Sequence, residues 1–302
     1  MSLNILGSIA PMQVSELISQ YRQGIRNFPC LSLPGVSLQG INLQDASVRE
    51  SNFQQSDLSH GNLAGANLRE ANLQGAKLCF ANLTEANLIG ANLSGADLSG
   101  ATLTDASLRM ANLSKALCRG SNFQDVNLAE ANLEEANLTE ANLFQAHLSR
   151  TKMGYCILRQ ANLSHCNLTN AGMAHAILDG AKMMHAILSG VVLRDASLVN
   201  ADLSNVTLLG SNLCNATLQG TNLRKANVKW SSLRDADLSE ANLYKAIFLW
   251  SNLTGALLCG ALMIDTNLRR ANLRDADFTG ANLSGAIMPD GTANAWTSSE
   301  DL

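Results

Sequence analysis

The chain has 302 residues, of which 4% are aromatic, 15% are charged and four are proline. Two ordinary globular domains would not show this bias, and it calls first for a search for internal repeats. The formal net charge of −4 gives no reason to expect direct nucleic-acid binding, which draws on dense positive charge, and no stretch approaches the ~18 apolar residues of a membrane span.

Residues 1–30 read as an N-terminal segment. Its first ten residues lack the positive start and cleavage site of a secretory leader, so a cytoplasmic chain is expected. A helix is expected over about 11–26. Pro11 suits a first helical position, Val14, Leu17, Ile18, Tyr21 and Ile25 fall on one helical face, and Gly24 marks the end. This helix is expected to cap the segment after it, whose register Phe28 already joins.

From residue 31 to residue 290 one pattern runs without insertion or deletion: 260 residues, or 52 units of five. Positions ending in 3 or 8 are almost always Leu, as in Leu58, Leu63, Leu68, Leu73 and Leu78. Two residues earlier stands a small residue, usually Ala, and between them most often Asn or Asp, as in Ala66-Asn67-Leu68 and Ala201-Asp202-Leu203. A period of five fits neither a helix nor a flat strand. In extended backbone, residues two apart share a side, so the small residue and the Leu point inward and the residue between them points out. The remaining two positions, held by residues such as Gly90, Gly95, Gly100 and Asp105, must turn the chain.

This A(N/D)LxG pattern resembles the pentapeptide-repeat family over 260 of 302 residues. The resemblance implies an all-β fold, a right-handed four-sided parallel β-helix with about 13 coils of twenty residues and an N-terminal capping α-helix. Coils stacked at ~4.8 Å make a rod about 60 Å long with a filled core and no room for a substrate. No enzyme, cofactor or metal site is expected. Residues 291–302 read as a C-terminal tail, with Trp296 a candidate to fold over the last coil; an open last coil would let two rods meet end to end as a homodimer. The seven cysteines have no metal or disulfide spacing, and Cys118, Cys156 and Cys166 fall at inward positions.

With the inward positions committed to packing, function must lie on the outer faces, where residues twenty apart stack in columns. Trp230 and Trp250 share a corner on consecutive coils, with Leu209, Lys229 and Leu249 in the neighbouring column and Ile247 where Asn is usual. An exposed apolar patch of this kind marks a protein partner site, or else an aromatic ladder that stabilises the rod. A second, weaker surface is formed by Tyr155, Ile157, His175 and Ile177 in a stretch where Met153, Met173 and Met183 replace inward Leu. His165 and His185 also stack, but without a third ligand they do not make a metal site. The expected function is a non-enzymatic protein-interaction scaffold or regulatory binding module whose partner is another protein. The resemblance supplies an alternative, because some members of the family imitate duplex DNA and bind gyrase. That role needs a strongly negative flank, and here residues 31–150 carry net −5 and residues 151–290 net +2.

Overall fold

The computed structural model describes residues 12–293. It opens with helix α1, Val14–Arg22, which buries Leu17 completely. Val14, Ile18 and Tyr21 pack against the core of the first coils. The helix is shorter than the expected 11–26 at both ends. It ends in a Schellman motif: Gly24 takes φ +92°, its N–H donates to Tyr21 O at 3.0 Å, and Ile25 N donates to Gln20 O at 3.1 Å. Ile25 therefore lies past the helix and is exposed. Pro11 lies outside the described residues. The Tyr21 hydroxyl donates to Gln44 O at 3.0 Å, and Arg26 stacks on the Tyr21 ring at 3.8 Å, which fixes α1 across the open end of the rod.

The ladder begins at Asn27, four residues ahead of Leu31, so the first coil takes in residues assigned from sequence to the N-terminal segment. From there to Ile287 each bridging residue pairs in parallel with the residue twenty further on, and bridges recur every five residues. Five-residue sides with a twenty-residue return make a four-sided coil, the quadrilateral β-helix that the family resemblance implies, with that family's right-handed turn. Each side is one bridging residue between two inward ones. Leu88 N donates to Ser107 O on the next coil at 2.7 Å, and Asn87 N to Ala66 O on the previous coil at 2.9 Å.

The corners show why the last two positions of each unit are polar or Gly. The small residue's N–H closes a β-turn on the preceding Leu carbonyl, as in Ala91 N to Leu88 O at 3.0 Å. The second turn residue has φ near +57°, as at Glu85 (58°), Asp105 (58°) and Lys225 (57°), the sign a type II turn requires at that position. The outward Asn or Asp stabilises the same corner: its Oδ1 accepts the N–H two residues on, as in Ser94 N to Asn92 Oδ1 at 3.1 Å. Its amide also reaches across coils, as in Asn112 Nδ2 to Asn92 Oδ1 at 3.4 Å.

The inward side chains form one continuous core. Full burial of each Leu is worth roughly 1.5–3 kcal/mol. Where Ser or Thr replaces the small apolar residue, its hydroxyl finds a carbonyl: Ser56 Oγ donates to Phe53 O at 2.6 Å and Thr151 Oγ1 to Leu148 O at 2.7 Å. At the far end the chain folds back, with Met288 N donating to Thr292 O at 2.8 Å and Ala293 bridging Ile287 in antiparallel sense. Trp296 and the rest of the tail lie outside the described residues.

Candidate functional site

We number the faces by their bridging columns: face 1 runs through Asn62 and Leu262, face 2 through Asn67 and Ile247, face 3 through Asn72 and Asn252, and face 4 through Asp57 and Leu257. Trp230 and Trp250 stand at the corner between faces 2 and 3. Both occupy the positive-φ turn position (57° and 63°), which throws the side chain outward, and they are 61% and 50% exposed. Leu209, Lys229, Ile247 and Leu249, expected as an open patch beside them, are half-buried. Leu209, Lys229 and Leu249 hold the first turn position and Ile247 the bridging position of face 2, and together they form a half-buried floor from which the indoles project.

Local hydrogen bonding at this corner is irregular. Ser211 N donates to Ser231 Oγ at 3.1 Å, and Ser231 Oγ donates to Leu208 O, so a serine bridges two coils beneath Trp230. Asn227 Oδ1 is buried without a hydrogen-bond partner; the next residue in its column is Ile247, which offers no amide. The Trp250 ring carries the Arg270 guanidinium at 4.6 Å, a cation–π contact. The ring contacts among the described residues lie elsewhere: His60 stacks with Phe80, Tyr155 with His175 and His165 with His185, while Phe144 meets His165 edge to face.

The second expected surface sits at the corner of faces 3 and 4. Tyr155 and His175 stack at 4.7 Å with 10° between planes. His175 Nε2 lies 3.8 Å from Asp195 Oδ2, and Asp195 also accepts from Asn215 Nδ2 at 2.9 Å and pairs with Arg194 at 3.0 Å. The Asn215 amide, then Arg194 and His175, hold the Asp195 carboxyl below its usual range. Ile157 and Ile177 lie half-buried on face 4. The structure therefore places the two candidate surfaces on different corners and on different coils. His165 and His185 stack at 5.0 Å on the corner of faces 1 and 2, and no group of three potential metal ligands comes together among the described residues.

Sequence reasoning passed over several exposed apolar side chains: Phe80, Met110, Ile187 and Val192. Each fills an outward position of the repeat, and that register was the signal available for finding them. No helix among the described residues is long and apolar enough to cross a membrane.

Eight copies of a family model described as pentapeptide repeats match the chain between residues 49 and 288. HetL of the cyanobacterium Nostoc sp. strain PCC 7120, a pentapeptide repeat protein involved in heterocyst differentiation regulation, is 34% identical; the match covers 94% of this chain and 100% of HetL, with a TM-score of 0.35. QnrB1, a plasmid-mediated fluoroquinolone resistance protein, is 18% identical over 71% of this chain and 90% of its own, with a TM-score of 0.36. Rfr23, a pentapeptide repeat protein of the cyanobacterium Cyanothece 51142, is 23% identical over 53% of this chain and 97% of its own, with a TM-score of 0.19. No curated protein matches the chain significantly.

Proposed function

The chain belongs to the pentapeptide-repeat family, and we propose that it is a non-enzymatic interaction module that binds another protein through the Trp230/Trp250 corner. The observation that carries this reading is two large aromatic side chains on consecutive coils, more than half exposed in one case and half in the other, on a rod whose outward positions are otherwise mostly small or polar. Exposed Trp on a half-buried aliphatic floor is the composition of an interface anchor. A core filled along its length supports the non-enzymatic reading, since chemistry needs a concave, desolvated site. HetL's part in regulating differentiation is in keeping with a module that works by contact.

The reading is tested by Trp230→Ala combined with Trp250→Ala. The expected result is an unchanged far-ultraviolet circular dichroism spectrum with loss of partner capture; the same partner recovered by the double variant would make the indoles merely structural. The duplex-mimic alternative asks for a continuous negative flank, whereas residues 151–290 carry net +2. Unaltered gyrase supercoiling with this protein in stoichiometric excess would retire it.

A further inference from the structure

The charge of the second half is sided around the rod as well as split along it. Over seven consecutive coils, faces 2 and 3 and the corner between them comprise residues 146–153, 166–173, 186–193, 206–213, 226–233, 246–253 and 266–273. These segments hold no aspartate or glutamate. Their cations are Arg150, Lys152, Lys229, Arg269 and Arg270, and none of them takes part in the ion pairs formed among the described residues. Faces 4 and 1 of the same coils, from residues 156–163 to 276–283, reverse the balance, with Asp179, Asp202, Asp237, Glu240 and Asp277 against Arg159 and Lys182.

The repeat does not impose this. Earlier along the same corner the cations are compensated: Arg49 pairs with Glu50 at 3.2 Å, Arg69 with Glu70 at 3.0 Å and Arg109 with Glu130 at 3.7 Å. Beyond Glu130 the compensating acids stop and exposed apolar groups take their place. Ile187 is 45% and Val192 39% exposed, and in the Trp column Gly210 leaves open space ahead of Trp230, while the Asn170 side chain covers Gly190. At the edge of this side, where face 3 turns into face 4, Gly154, Gly172 and Ala174 open a shallow notch of about 320 Å³, flanked by Arg150, Lys152 and Glu134.

We infer that this side binds an acidic, extended protein segment lying along the rod, its apolar side chains seated against Val192, Leu209 and the two indoles and its carboxylates meeting Lys229, Arg270 and their neighbours. The inference rests on the partner reading and adds the partner's chemistry. Unpaired cations ringing an apolar strip attract and orient an acidic chain. Nucleic acid fits less well. Seven coils span ~34 Å at the inter-strand spacing, and duplex DNA presents about twenty phosphates over that length. The cations on this side are far sparser, and the aliphatic groups between them would meet no counterpart on a phosphate backbone.

The test pans a displayed library of random dodecapeptides against the full chain and against three variants: Trp230→Ala with Trp250→Ala, Lys229→Glu with Arg270→Glu, and the neutral Lys229→Gln with Arg270→Gln. Glu already occupies the Arg270 turn column at Glu50, Glu70 and Glu130, so reversal there is compatible with the fold; Lys229 is half-buried in the neighbouring column, and an unchanged circular dichroism spectrum checks the double variant. The expected result is enrichment of net-negative peptides rich in aliphatic and aromatic residues. Charge reversal should weaken their affinity about tenfold or more and the neutral pair less, with loss in the Trp variant as well. Neutral or basic peptides that depend on the Trp pair and ignore charge reversal would overturn the inference and leave the partner reading standing. Enriched peptides indifferent to every variant, or no enrichment, would overturn both. A single-stranded thymidine oligonucleotide that outcompetes the peptides would overturn the protein class of the ligand.

Discussion

Leu133 has no exposed surface, and what it does there can be tested by changing its size and its charge separately. Leu133→Ala leaves a cavity and should cost about 3 kcal/mol in chemical denaturation. Leu133→Asp buries a carboxylate with nothing to pair it and should leave no folded chain to recover; a soluble Asp variant with native stability would contradict the inward assignment. The thiols give a second reading of the same core. Burial pushes the Cys156 and Cys166 thiols up to about 12, and raises Cys118 further. At pH 8 these three should ignore a thiol reagent until the chain is denatured, while the exposed Cys30 reacts at once. Inward and outward positions were legible from sequence because the period is strict. Depth was not. Leu209 and Leu249 are outward by register yet half-buried, since the first turn position rests on adjacent coils and a linear sequence carries only the side a residue faces.

At the scale of the element, the corner decides what each turn position tolerates. Gly95 sits at φ +64° with open space where a side chain would project, whereas a Cβ on Gly100 would come within 2.5 Å of the Phe80 ring at φ +66°. Gly95→Asn should therefore change stability by only a few tenths of a kcal/mol, because Asn visits this conformation readily. Gly100→Val should lose about 1–3 kcal/mol by combining a β-branched side chain with positive φ and a clash; thermal unfolding of the two variants separates the cases. The turn was foreseen from the two leftover positions of each unit, but its positive φ was hidden, because Glu, Asp, Lys and even Trp fill it as well as Gly. The helix was legible in kind and less so in extent. Its apolar spacing continued to Ile25, while the Schellman bonds around Gly24 stop it at Arg22.

For the whole molecule, the twenty-residue return turns the sequence into columns, and the rod's long-range organisation comes from reading them. The Arg194–Asp195, Arg234–Asp235 and Arg274–Asp275 pairs form at 3.0, 3.4 and 3.3 Å at one corner of the rod, where each is worth little. The acidic group Glu130, Glu135 and Glu140 is met one coil earlier by Arg109, Lys115 and Arg119 at 3.7, 3.7 and 3.6 Å. Against these compensated regions the acid-free side stands out, and it was missed in sequence because charge was counted along the chain rather than around it. Asn200 occupies the corner diagonally opposite the Trp column, between faces 4 and 1. The account is tested most directly by a photocrosslinking amino acid placed at position 230 in one version of the chain and at position 200 in another, each irradiated in the native cell. It predicts a discrete crosslinked protein from position 230 and none from position 200; equal yields from both, or a product from position 200 alone, would contradict it.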